Sequence, residues 1–206
     1  ITTTQTPCFH QSQNWNHSQM TALDALKRDS GYERKERDCY ETPAWVTRAL
    51  MPHITGVKTV WEPSAGSGKI VSALRKHGLL VLATDISVGK DFLEEIITMA
   101  DAIITNPPYS RAEEFIEHAL KLTSISQGLV AMLLRTDYDH AKRRTHLFAN
   151  CKQFSKKIVL TKRIVWFDPE PGKVAAPSFN HAWYIWDWQN QSEPVIRYYL
   201  HEERVQ

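Results

Sequence analysis

Apolar and polar positions change their pattern twice along this chain. Ile1 to Gln19 is rich in Thr, Gln, Asn, Ser and His without an apolar period, which predicts a polar extension. Met20, Leu23 and Leu26 then stand at roughly helical spacing, followed by a charged run from Asp29 to Asp38. From Tyr40 the pattern becomes regular. Thr42-Pro43 predicts a Thr N-cap with Pro at the first helical position, and Trp45, Val46, Ala49 and Leu50 share one face of the helix. Short apolar runs at Val57–Trp61, Leu79–Thr84, Ala102–Thr105 and Gly128–Leu134 predict four buried strands. Lys69 to His77 has a helical pattern, and Ser110 with Glu113 suggests a capping box for a helix turning Phe115, Ile116, Ala119 and Leu120 inward. Such alternation predicts a mostly parallel α/β sheet covered on both faces. Lys157–Thr161, His181–Trp188 and Val195–Leu200 predict late strands without helices between them, hence an antiparallel hairpin at the end. The chain thus divides into a polar N-terminal extension, residues 1–38, and one α/β domain, residues 39–206.

Composition narrows the class. A length of 206 residues suits one such domain, and 42% apolar with 23% charged residues is the balance of a globular protein with a full core. The longest apolar runs fall far short of a membrane span, and no signal peptide opens the chain, so a membrane role is not expected. Cys8, Cys39 and Cys151 are odd in number and widely spaced, which argues against a disulfide framework or a Cys-based metal site and for a reducing, cytoplasmic location. No metal is expected.

The candidate chemistry lies where strands end. Glu62-Pro63-Ser64-Ala65-Gly66-Ser67-Gly68 places two glycines in a strand-to-helix turn, where backbone can approach a ligand closely. Gly66-Ser67-Gly68-Lys69 ends like a phosphate-binding P-loop, but Pro63 and Ile70 stand where that motif needs Gly and Ser or Thr. Asp85 ends the next strand, 23 residues after Glu62, where a carboxylate can take ribose hydroxyls or cap a helix. Asp91-Phe92 offers an acceptor and an aromatic face for an adenine, or Asp91 caps a helix starting near Phe92. Asn106-Pro107-Pro108-Tyr109 stiffens a turn whose Asn oxygen and Pro107 carbonyl can accept both hydrogens of a planar NH2 group, with Tyr109 as a face for a flat substrate.

In this order these motifs resemble the S-adenosylmethionine-dependent amino-methyltransferases, and most closely the adenine-N6 methyltransferases of DNA whose cofactor motif precedes the catalytic one. The resemblance runs from about Tyr40 to Asp187. It implies the seven-stranded Rossmann-like class I methyltransferase fold, with S-adenosylmethionine as cofactor. It further implies that Tyr40 and Thr42, from Tyr40-Glu41-Thr42-Pro43, help hold the cofactor's methionine end. Glu62, Pro63, Ser64, Ala65, Gly66, Gly68, Asp85, Asp91, Phe92 and Asn106 are the other implied cofactor residues. Asn106, Pro107, Pro108 and Tyr109 are the implied catalytic set, and Phe179 matches a late family motif that could close a stacking sandwich on an extruded base. Two departures stand out. No long target-recognition domain follows, which leaves room for a partner subunit, and the segment around Asp91 is compressed.

Local charge adds a separate indication. The whole chain carries only +2, yet Asp139 to Arg163 holds eight Lys and Arg against Asp139 alone, including Lys142, Arg143 and Arg144. A phosphate-tracking surface and a solvated basic face both fit this stretch. The expected substrate is nucleic acid, DNA before RNA. The alternatives are an RNA adenine methyltransferase, a glutamine N5 methyltransferase of protein, and a non-catalytic subunit of a methyltransferase complex.

Overall fold

The computed structural model describes residues 40–166 and 179–201, so the expected 1–38 extension lies outside the described residues. Seven strands form one sheet: β1 (Thr59–Glu62), β2 (Leu80–Ala83), β3 (Ala102–Thr105), β4 (Leu129–Arg135), β5 (Phe154–Leu160), β6 (His181–Asp187) and β7 (Val195–Tyr199). Their order is β2-β1-β3-β4-β6-β5-β7. β6 is antiparallel to both β4 and β5, while the other pairs are parallel, so β6 alone is reversed. The fold class expected from the sequence, a seven-stranded Rossmann-like α/β sheet, mostly parallel with an antiparallel pair among its late strands, is the one found.

Three helices support the site: α1 (Ala44–Leu50), α2 (Lys69–Lys76) and α3 (Ala112–Thr123). Strand alternation sorts the core onto the two faces of the sheet. Tyr184 and Trp186 join Phe92, Phe115, Met132 and Phe148 on one face, while Trp183 and Ile185 join Val46, Leu50, Ile70 and Leu74 on the other. The buried indoles also make hydrogen bonds, as their polar edge requires. Trp183 Nε1 donates to the Val46 carbonyl at 2.8 Å and Trp186 Nε1 to the Leu147 carbonyl at 2.7 Å. Truncating either to Ala should cost about 3–5 kcal/mol.

Three local expectations are corrected. Helix α1 starts one residue late, with Pro43 at its N-cap, because the Thr42 hydroxyl accepts from Asn106 instead of capping. Helix α3 starts at Ala112 after a 3-10 turn and has no side-chain cap; Glu113 pairs with Arg143 at 3.4 Å. Strand β2 is an edge strand and largely uncovered, with Leu80 71% and Leu82 60% exposed. The chain from β2 to β3 makes only 3-10 turns, so among the described residues that connection supplies no α-helix to shield the margin. Among the described residues, no helix is long and apolar enough to cross a membrane.

Candidate active site

Strand β1 has β2 on one side and β3 on the other, so the winding reverses there and a crevice opens at the strand ends. A cleft of about 300 Å³ occupies it, lined by Tyr40 to Thr42, the turn after β1, Asp85 after β2, and Asn106 and Pro108 after β3.

The turn is held from several directions. Gly66 and Gly68 have φ of 50° and 79°, the left-handed region that glycine enters without a steric penalty. Gly66 N–H donates to Asp85 Oδ2 at 2.9 Å, and Ser87 N–H donates to Oδ1 at 2.8 Å. The Ala65 N–H reaches the Thr84 carbonyl at 3.0 Å. Asp85 thus both caps the turn that follows it and fastens the glycine loop. Beneath the loop lies Glu62, fully buried, accepting from Ser64 N–H at 3.1 Å. Burial pushes its carboxyl up to about 8, so it holds its proton at neutral pH.

Asn106 forms the other wall. Its Nδ2 donates to the Tyr40 carbonyl at 3.1 Å and to Thr42 Oγ1 at 3.2 Å. Those two bonds orient the amide, and Oδ1 is buried with no hydrogen-bond partner among the described residues. A buried acceptor left in this state costs about 1–3 kcal/mol unless a ligand fills it. Tyr40 and Tyr109 belong to a cluster of four rings. Tyr109 lies 5.8 Å from Tyr40 and 6.0 Å from His181, near-parallel to the latter; Trp166 lies 5.4 Å from Tyr40 and 5.1 Å from His181. Burial, with the Arg135 charge second, lowers His181 to about 4, so this imidazole is neutral.

The cleft brings together Tyr40, Thr42, Ser64, Ala65, Gly66, Asp85, Asn106 and Pro108 from the expected set; Glu62 and Pro63 underlie the loop as buried residues. Gly68 caps α2 behind it, and Pro107 is buried next to Asn106. Asp91 and Phe92 are not among its lining residues. Asp91 accepts from Leu93 N–H at 3.0 Å and lies 3.7 Å from the Arg111 guanidinium, while Phe92 is 2% exposed in the core against Trp61 and Phe115. Asp91 therefore takes the cap position that the sequence left open, while the burial of Phe92 was not anticipated.

The Arg135 guanidinium lies over the Phe179 ring at 4.0 Å, and Tyr109 has Tyr40 and His181 as ring neighbours. His181, Trp166, Glu41 and Lys69 were missed by the sequence reasoning. Lys69 had a signal, its place directly after the glycine turn, but that place was weighed only against a phosphate loop.

The basic stretch is not one surface. Lys157 is 9% exposed and bonds Asp139 at 2.8 Å and the Thr136 carbonyl at 2.8 Å. Arg144 lies 3.7 Å from the centre of the Tyr138 ring, and Lys152 sits at the opposite end of β5 from Lys162 and Arg163. Lys142, Arg143, Lys162 and Arg163 are exposed. Nearby, Glu113, Glu117 and His146 bring their ligand atoms within 4.8 Å of one another, with His146 Nε2 2.9 Å from Glu117.

No family model and no curated protein matches the sequence. Solved structures do. A candidate hemolysin of Lactococcus lactis aligns with a TM-score of 0.51 and 11% identity, over 80% of this chain and 95% of its own. The type IIG restriction endonuclease BpuSI aligns at 0.46 and 12% identity over 72% of this chain and 24% of its own, so the chain spans about a quarter of that protein. A candidate RNA methyltransferase of Pyrococcus horikoshii aligns at 0.45 and 14% identity, over 84% of this chain and 98% of its own. At such identities the likeness is one of fold. The cleft's own chemistry fits S-adenosylmethionine: a strand-end carboxylate suits a ribose, the glycine turn admits close backbone approach, and a buried amide acceptor waits beside flat rings.

Proposed function

We propose that this chain is an S-adenosylmethionine-dependent methyltransferase that modifies the exocyclic N6 amine of adenine in DNA. The observation that carries the proposal is Asn106: its amide nitrogen is tied to Tyr40 and Thr42, and its buried oxygen is left to accept from a ligand. When bound, S-adenosylmethionine supplies an electrophilic methyl group on a sulfonium. An exocyclic amine is a poor nucleophile because its lone pair is delocalised into the ring. Acceptance of one N–H by Asn106 Oδ1 and the other by the Pro107 carbonyl favours a pyramidal nitrogen and frees that pair. Pro107 and Pro108 keep the acceptors stiff, so positioning and electrostatics carry the rate. Tyr109 presents a ring on which an extruded base can stack. Asp85, Gly66 and their neighbours hold the adenosine end of the cofactor, and Tyr40 and Thr42 frame its methionine end.

The choice of adenine in DNA rests on the motif resemblance from Tyr40 to Asp187, and exposed Lys142, Arg143, Lys162 and Arg163 supply the cations for phosphate contact. The test is transfer of labelled methyl from the cofactor to DNA, RNA and protein offered side by side, followed by hydrolysis of the product. N6-methyladenine in DNA supports the proposal. Label in RNA adenine or in protein glutamine replaces the substrate, and cofactor binding with no transfer to any pool makes the chain a non-catalytic subunit.

A further inference from the structure

Three side chains that do not line the cleft bring metal-ligating atoms together on helix α3. Glu113 and Glu117 stand four residues apart, hence on one face of the helix, and His146 reaches them from the 3-10 segment Lys142–Leu147. Among the described residues this is the only such group of three. The backbones that carry it are anchored in the core. Ala112 and Ile116, the neighbours of the two carboxylates, are buried, as is Leu147, whose carbonyl accepts from Trp186 Nε1 at 2.7 Å. Ligands on elements fixed in this way hold their geometry better than ligands on a free loop.

The imidazole shows what the group lacks. His146 Nδ1 lies 3.1 Å from the Arg143 carbonyl, which can only accept, so Nδ1 carries the proton. In the neutral ring Nε2 then presents a lone pair, and Glu117 Oε1 faces it at 2.9 Å. Two acceptors at that distance need a cation between them, either a proton or a metal ion. A proton joins only two of the three groups. One ion with bonds of about 2.0–2.2 Å to an imidazole nitrogen and carboxylate oxygens sets adjacent ligand atoms roughly 3 Å apart, and so serves the third group as well. Glu113 pairs with Arg143 at 3.4 Å, but the Arg143 side chain is 75% exposed, and such a contact gives way at small cost. A ring whose other nitrogen is fixed by a backbone carbonyl is also the usual form of a histidine ligand.

We propose that Glu113, Glu117 and His146 bind one divalent transition-metal ion of the zinc class, through His146 Nε2 and one oxygen of each carboxylate. Nitrogen and oxygen donors without a thiolate suit such an ion, and the half-exposed side chains of His146 and Glu117 leave its remaining position to water. The ion fastens the Lys142–Leu147 segment to α3 and draws Glu113 away from Arg143. Equilibrium dialysis of the full chain against zinc, with His146→Gln and Glu117→Gln alongside, tests the site. The unaltered chain should bind one ion more than either variant, whose affinity at this site should fall about 10-fold or more, at least the scale of removing a group that supports a ligand. Zinc held by cysteines or histidines elsewhere in the chain would be kept by both variants, so equal binding by all three proteins would overturn the proposal. Long-range proton–nitrogen NMR spectra of the unaltered chain give a second readout. On addition of zinc the His146 Nε2 resonance should shift while Nδ1 stays protonated. A His146 resonance indifferent to zinc would mean that a proton alone bridges the pair, and would equally overturn it. Neither readout depends on the cofactor or the substrate.

Discussion

The two flanks of the cleft are built on opposite terms. At the β2 flank Asp85 is partly exposed, and its carboxylate accepts from Gly66 and Ser87 N–H groups. The flank is backbone held by a side chain, at the end of a strand that exposes Leu80 and Leu82. At the β3 flank a buried amide is held by Tyr40 and Thr42, with an acceptor oxygen left over and aromatic rings around it. Water and loop movement can compensate a change at the first. Burial leaves little to compensate a change at the second, so equal losses of hydrogen bonds should have unequal consequences. That asymmetry suits a site that grips a cofactor on one side and activates a nitrogen on the other.

Several substitutions would break or sharpen this contrast, beginning with the ring beside Asn106. Tyr109→Ala should lower methyl transfer by about 10- to 100-fold, the scale of losing one base–aromatic stack, while Tyr109→Phe stays within a few-fold. Equal effects from both, in a transfer assay at saturating cofactor, would mean that the hydroxyl rather than the ring matters. On the exposed flank, Asp85→Ala should weaken cofactor binding by about 1–3 kcal/mol in calorimetry, with transfer recovering at high cofactor. A loss of transfer that no cofactor concentration restores would erase the division of labour.

Protonation provides a subtler contrast. The buried Glu62 is raised to about 8, so the folded state keeps a proton that the unfolded chain releases near pH 4.5. Its contribution to stability is therefore complete below pH 4.5 and is lost progressively as pH rises toward 8. His181, lowered to about 4, works the other way: stability falls as pH drops from 6.5 toward 4, where the unfolded chain alone gains the proton. Thermal melts across this range should show Glu62→Gln flattening the upper limb and His181→Phe the lower one. A smaller effect is expected at the surface. Replacing Lys142 and Arg143 with Gln should make the log–log salt dependence of DNA binding shallower by up to about 2, at roughly 0.9 per phosphate contact. No change would remove that segment from the interface.

Legibility in the sequence followed the range of the interactions. The glycine turn, Asp85 and Asn106 to Tyr109 could be read because their residue types constrain backbone and hydrogen bonding locally. The exposure of Leu80 and Leu82 could not, since apolar residues on an edge strand spell the same as those in a core. Thr42 looked like a helix cap because its tertiary partner is 64 residues away. His181 meets Tyr109 only when β6 inserts beside β4, Trp166 packs on His181 in turn, and β4 brings Arg135 over the Phe179 ring. Asp91 was ambiguous by nature, since a cap and an adenine acceptor use the same carboxylate, and the burial of Phe92 depends on Trp61 and Phe115 from distant segments.

The central claim is that Asn106 Oδ1 activates the target nitrogen and does little to hold the cofactor. Single-turnover transfer to adenine-containing DNA, measured beside calorimetric cofactor binding, tests it for Asn106→Ala. The expected result is a fall in the transfer rate of about 100-fold or more, the scale of removing one preorganised hydrogen-bonding group, with cofactor affinity within a few-fold of the unaltered protein. Transfer at a near-normal rate, or a loss wholly explained by weaker cofactor binding, would contradict it.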